Sequence, residues 1–169
     1  MSAPAKDAGG DHGGFALSLD LLDGYAQQVD FGLPGAAPFV IDEPPPLGAD
    51  RGPNPSRVLG AALASCLGAS LLFCLRKSRI DVHGLRSEVH GTMARTERGR
   101  LRIGGIQVTL HVTVPEDQQP RMARCLEIYE DFCVVTASVR PGIPIDVQVV
   151  TRAPDGPAAA SEPIATDPT

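Results

Sequence analysis

Four cysteines, Cys66, Cys74, Cys125 and Cys133, are the residues of this chain best suited to covalent chemistry, and two of them stand in distinctive surroundings. Cys66 lies in a run of small residues, Ala61-Ala62-Leu63-Ala64-Ser65-Cys66-Leu67-Gly68-Ala69-Ser70, and Cys133 lies in Asp131-Phe132-Cys133-Val134-Val135-Thr136-Ala137. A thiol among small side chains on a helix leaves room for a substrate, and a thiolate is a strong nucleophile. A second thiol brought in from a distant segment could close a disulfide with it. The competing reading is that each cysteine is a small core residue, since free cysteine is among the most buried residue types. Cys74 and Cys125 have no such surroundings and are expected to pack in or beside the core as reduced thiols. His83, His90 and His111 share no recognised ligand spacing with one another or with the cysteines, so no metal or other cofactor is expected. Asp42 and Glu43 are adjacent, and neighbours on a strand point to opposite faces, which makes a solvated strand end of them rather than a carboxylate pair.

The elements that must position these thiols follow from pattern. Phe15, Leu17, Leu19 and Leu21 alternate with other residues, Asp23-Gly24 is a hairpin-turn signal, and Tyr25, Gln27, Val29 and Phe31 continue the alternation. A third short strand is expected over 38–42, followed by a loop in which Pro44, Pro45, Pro46, Gly48, Gly52 and Pro53 forbid regular structure. Asn54-Pro55 starts a helix, with Asn as cap and Pro at the first helical position, and that helix should run to about Lys77. Residues 80–91 and 101–114 read as two strands of a second hairpin, with Gly104-Gly105 marking a bulge rather than a phosphate loop. Residues 116–132 carry Met122, Cys125, Leu126 and Tyr129 at helical spacing, 133–139 give a separate turn or two of helix, and 143–151 give a last strand. The result is an α+β domain over 15–152, of hairpins and antiparallel sheet around two principal helices, between disordered segments at 1–14 and 153–169.

Composition closes off other classes. The chain has 169 residues, enough for one domain with its own core. A net charge of −5 and a pI near 5.3 offer no footprint for a nucleic-acid backbone. The apolar stretch from Val58 to Leu75 approaches the length of a membrane span, but Gly60, Ser65, Cys66, Gly68, Ser70 and Cys74 dilute it, and the surrounding strands would have nothing to cover if it left for a bilayer. A cytoplasmic protein without membrane or nucleic-acid partners is the expectation.

Several of these runs resemble the OsmC/Ohr family, the osmotically inducible protein C and organic hydroperoxide resistance proteins. They are Asp42-Glu43-Pro44, Gly52-Pro53-Asn54-Pro55 and Ala61 to Cys66, then Cys133-Val134-Val135-Thr136-Ala137-Ser138-Val139-Arg140 followed by Gly142-Ile143-Pro144-Ile145, and the similarity covers about residues 15–151. The resemblance implies an intertwined homodimer that reduces organic hydroperoxides to alcohols. Cys66 would attack the O–O bond and become a sulfenic acid, Cys133 would condense with it to a disulfide, and an external dithiol would reduce that bond.

The chain also departs from the family pattern. Peroxidatic members engage the first cysteine with an N-terminal arginine held by a glutamate just before the cysteine helix. Here no arginine precedes Arg51, and Ser56-Arg57 occupies the glutamate's place. Arg51 in the loop and Arg57 on the helix are therefore the candidate activating cations, with Arg140 behind them. Nine residues of α-helix put Arg57 about 180° round from Cys66 and roughly 13 Å away. The altered pair keeps two alternatives open: an OsmC-like module that binds a small apolar ligand, or a redox sensor with little peroxidase activity.

Overall fold

A computed structural model describes residues 13–142 of the chain; the segments expected to be disordered, but for residues 13 and 14, and the last strand expected over 143–151 lie outside the described residues. Three strands, β1 (Ser18–Asp23), β2 (Ala26–Asp30) and β3 (Phe39–Ile41), form an antiparallel sheet in that order. Gly24, at φ +57°, makes the β1–β2 turn that Asp23-Gly24 signalled. The helix α1 (Pro55–Lys77) begins as its sequence predicts: Asn54 Oδ1 accepts the Arg57 N–H at 3.0 Å and Pro55 takes the first helical position. Arg76 and Lys77 occupy the last turn, where cations complement the helix dipole.

The second hairpin pairs β4 (Gly84–Arg95) with β5 (Leu101–Thr113). Thr92 faces Gly105 and Met93 faces Ile103, so Gly104 is the extra residue of a bulge. Along α1, Gly60, Leu63, Ala64, Leu67, Gly68, Leu71 and Leu75 are buried at helical spacing. Gly60 and Gly68 bring the helix backbone close to β4: a Cβ at either would stand 3.1 Å from Val89 and 3.0 Å from Leu85. The core proper gathers Leu71, Leu75, Ile80, Met122 and Cys125, with Leu85, Leu110, Val112 and Tyr129 packed around it. Among the described residues α1 is the one helix long and apolar enough to cross a membrane. Its buried stripe is covered by this protein's own β4, β5 and 123–139.

Two expectations need correction. Residues 116–132 do not form one helix. A 3-10 segment (Glu116–Met122) leads into α2 (Ala123–Ile128), and a 3-10 turn (Tyr129–Phe132) leads to α3 (Val134–Val139). Pro120, inside the first segment, has no N–H to give to an α-helical ladder, so the chain tightens there. Nor are Cys74 and Cys125 reduced. They form a disulfide with Cα atoms 5.6 Å apart, tying α1 to α2. The two residues do sit in and beside the core, as expected, and that burial at facing positions is what brings the sulfurs together.

Candidate thiol site

Cys66 lies midway along α1, beside Leu63, Ala64 and Leu67 of the buried stripe, and is itself half-buried. At this level α1 packs against the Tyr129–Phe132 turn and α3. Cys133 is the single extended residue between them, at φ −83° and ψ 96°, and it is fully buried. Its N–H donates to the Glu130 carbonyl at 3.0 Å, and its carbonyl accepts from the Ala137 N–H at 2.9 Å. Cys133 Sγ lies 3.1 Å from Thr136 Oγ1, which accepts from the thiol and can turn to donate to a thiolate. The N–H groups of Val135 and Val134 face the Cys66 sulfur. The two thiols are neighbours, and neither is in a disulfide.

Burial pushes the Cys66 thiol up, and its neighbour Cys133 adds to this against the Val135 and Val134 N–H groups. Burial opposes ionisation of Cys133 as well. There the Thr136 hydroxyl, the Cys66 thiol and the N–H groups of Thr136 and Val135 outweigh it, and the thiol is held below its ordinary range. Two thiols in one site titrate as a pair: one thiolate is supported by the remaining thiol, and loss of the second proton is opposed. The arrangement therefore favours one nucleophilic sulfur beside one protonated partner, the state a two-cysteine cycle needs.

A cavity of about 550 Å³ is lined by Thr136, the hydrogen-bond partner of the Cys133 thiol, and by Leu63 and Leu67, which flank Cys66 on α1, though by neither sulfur itself. Leu63 and Leu67 of α1 and Ile103 and Ile106 of β5 make its apolar wall; Tyr129, Glu130, Thr136 and Arg140 make its polar end. Arg140 donates to the Glu130 carboxylate in an ion pair, and the Tyr129 hydroxyl donates to Glu130 Oε1 at 3.4 Å. Burial, with the Glu130 charge behind it, pushes the Tyr129 phenol up. Such a cavity suits a molecule with an apolar body and one polar end.

The arginines stand apart from one another. Arg51 donates to the Asp23 carbonyl at 3.1 Å and lies 3.9 Å from the buried Asp42 carboxylate, so it braces the 43–53 loop against the first sheet. Arg57, in the first turn of α1, lines a different cavity with Val89, Met93 and Ile106. Sequence reasoning passed over Glu130, Tyr129 and Thr136. The available signal was the recurrence of Glu130, Cys133, Thr136 and Arg140 every three or four residues, which sets them on one helical face. His111 pairs across the second hairpin with Glu88 at 3.2 Å, and among the described residues no three of His, Cys, Asp and Glu gather as metal ligands would.

Residues 48–148 match the family model described as OsmC-like protein. Among solved structures, an OsmC-like protein of unknown function from Vibrio cholerae is 17% identical, with a TM-score of 0.63 over 76% of this chain and 94% of the other. An organic hydroperoxide resistance protein OsmC from Legionella pneumophila is 14% identical, with a TM-score of 0.59 over 78% and 92%. An organic hydroperoxide resistance protein from Bacillus subtilis is 20% identical, with a TM-score of 0.52 over 75% and 90%. At these identities the likeness is one of fold. Among curated proteins none matches.

Proposed function

The chain belongs to the OsmC-like protein family, and we propose that it reduces organic hydroperoxides to alcohols through Cys66 and Cys133 in defence against oxidative stress. The observation that carries this reading is the meeting of two unbonded thiols, one from the middle of α1 and one from the break before α3, beside a cavity with an apolar wall. Cys66 is the more exposed of the two, which favours it as the sulfur that meets the substrate. Cys133, the more readily ionised neighbour, takes the Cys66 proton; the resulting Cys66 thiolate attacks the peroxide oxygen, the O–O bond breaks, and the alkoxide takes up a proton and leaves as alcohol. The sulfenic acid so formed condenses with Cys133, releasing water and closing a disulfide. An external dithiol then reduces that bond by exchange, so the net reaction turns hydroperoxide and dithiol into alcohol, water and oxidised dithiol.

The working form in this reading is a cytoplasmic homodimer. Leu19, Leu21 and Leu22 of the first sheet, Val89, Met93 and Leu101 of the second hairpin, and Phe73 on α1 are exposed in the single chain. Covering such faces with a second copy buries them from water, as monomeric proteins rarely leave large apolar patches open.

The test is rapid mixing of the reduced protein with cumene hydroperoxide, beside Cys66→Ser and Cys133→Ser, with peroxide loss followed and disulfides mapped by mass spectrometry. Peroxide loss with a new Cys66–Cys133 bond in the parent protein alone is the expected result. If all three proteins are inert and a hydroperoxide still binds saturably, the cavity is a ligand site and the peroxidase reading is wrong.

A further inference from the structure

We infer that Arg140, braced by Glu130, is the cation that serves the thiol pair, so that the charge needed for thiol activation is carried by the second cysteine's own segment. This rests on reading Cys66 and Cys133 as the reactive thiols. The segment from Glu130 to Arg140 is one helical arch interrupted only at Cys133: the Cys133 N–H donates to the Glu130 carbonyl, Ala137 N–H to Cys133, and Arg140 N–H to Thr136 at 3.1 Å. The spacing lays Glu130, Cys133, Thr136 and Arg140 along one face. On it the Arg140 guanidinium reaches back past the cysteine to the Glu130 carboxylate. A guanidinium has five N–H donors, and one carboxylate does not exhaust them. Glu130, Thr136 and Arg140 together form the polar end of the cavity that Leu63 and Leu67 wall from α1.

The electrostatics agree with the geometry. Arg140 is held above its ordinary range first by the hydrogen bond and charge of Glu130, and further by the charge of Cys133. That attraction is mutual, so the same guanidinium favours the Cys133 thiolate. Among the described residues the titratable groups coupled to Cys133 are Tyr129 and Arg140 from its own segment and Cys66 from α1, with Glu130 held against Tyr129 and Arg140. The β5 residues that wall the cavity, Ile103 to Ile106 and Val108, contribute no titratable side chain. Arg51 is engaged with Asp42 and the Asp23 carbonyl, and Arg57 lines another cavity. Among the described residues Arg140 is the guanidinium that shares the cavity wall with Thr136 and is coupled by charge to Cys133. Glu130 is a positioning residue: it acts by holding the guanidinium in place.

The experiment reads thiol ionisation directly. In a Cys66→Ser background, with Cys74–Cys125 left oxidised, the ultraviolet absorbance of the Cys133 thiolate is titrated against pH for the parent, Arg140→Gln, Arg140→Lys and Arg57→Gln. Arg140→Gln is expected to raise the proton affinity of Cys133 about tenfold, one unit on the pH axis, while Arg140→Lys restores most of the parent midpoint and Arg57→Gln leaves it unmoved. Circular dichroism checks that each variant folds. Should Arg140→Gln fail to fold, salt supplies the same reading in the parent, since screening an exposed guanidinium at high ionic strength must raise the midpoint. A midpoint unmoved by Arg140→Gln or by salt, or one moved as far by Arg57→Gln, overturns the inference. Peroxide turnover is measured separately with both cysteines intact. A shifted titration with no turnover in the parent would refute the peroxidase reading and leave the role of Arg140 standing, whereas normal turnover with an unmoved titration does the reverse.

Discussion

The Cys74–Cys125 disulfide yields the most quantitative prediction, because its contribution can be worked out from the loop it closes. The two cysteines are 51 residues apart in sequence, and cross-linking a loop of that length removes about 14 cal/mol/K of entropy from the unfolded chain, about 4 kcal/mol at 25 °C. The loop contains the whole β4–β5 hairpin and the 3-10 segment before α2, so opening the bond frees that whole stretch once the chain unfolds. The folded state should change little, since Cys125 is already packed with Leu71, Leu75, Ile80 and Met122. The assay compares oxidised and reduced forms of one polypeptide, Cys66→Ser/Cys133→Ser, in which Cys74–Cys125 is the only bond to reduce. With a urea dependence of about 2 kcal/mol/M, reduction is expected to lower the unfolding midpoint by about 2 M. Both forms are compared at one protein concentration, because association shifts apparent stability by mass action. Mass spectrometry of the oxidised form establishes that the bond is present. A midpoint unchanged on reduction would falsify the loop-entropy argument, and absence of the bond from air-oxidised protein would refute the pairing itself.

Two further predictions concern the loop before α1. A Cβ on Gly52 would lie 2.0 Å from the Val40 carbonyl oxygen, a backbone atom of β3 that cannot swing aside, so Gly52→Ala is expected to destabilise the protein by about 1–3 kcal/mol, read as a lowered melting temperature. Asp42, only 2% exposed, accepts N–H groups from Glu43, Ala49 and Arg51 at 2.8, 3.1 and 3.1 Å. Burial opposes its charge, but those N–H groups and the Arg51 guanidinium outweigh it and hold the carboxyl below the usual carboxylate range. With the folded value below the unfolded value of about 3.9, the stabilisation is complete above about pH 4 and is lost as pH falls through the folded value. Asp42→Asn should therefore lower the urea midpoint at neutral pH and flatten its fall in acid; a variant with the parent's acid profile would show that Asp42 does not carry it.

Local chemistry accounts for what could be read without coordinates. Asn54-Pro55 starts α1 because a side-chain acceptor and a residue lacking N–H solve the problem of a helix's first turn wherever they occur. Alternation and Asp23-Gly24 make the first hairpin, and the two glycines in β5 place the bulge at Gly104, since these preferences reside in a few neighbouring residues. The small-residue run around Cys66 and the run around Cys133 were legible for the same reason. Tertiary packing decided the rest. Cys74 and Cys125 carry no local mark of pairing, and only the docking of α2 on α1 brings them into a bond. The helical spacing of 116–132 hid two 3-10 segments, because a side-chain period does not report the missing N–H of Pro120 or the turn that delivers Cys133. Spacing put Arg140 on a face with Glu130 and Cys133, but no pattern ranked it above Arg51 and Arg57. A guanidinium is drawn to whichever carboxylate folding brings within reach, which gave Arg51 to Asp42 and Arg140 to Glu130 beside the thiols.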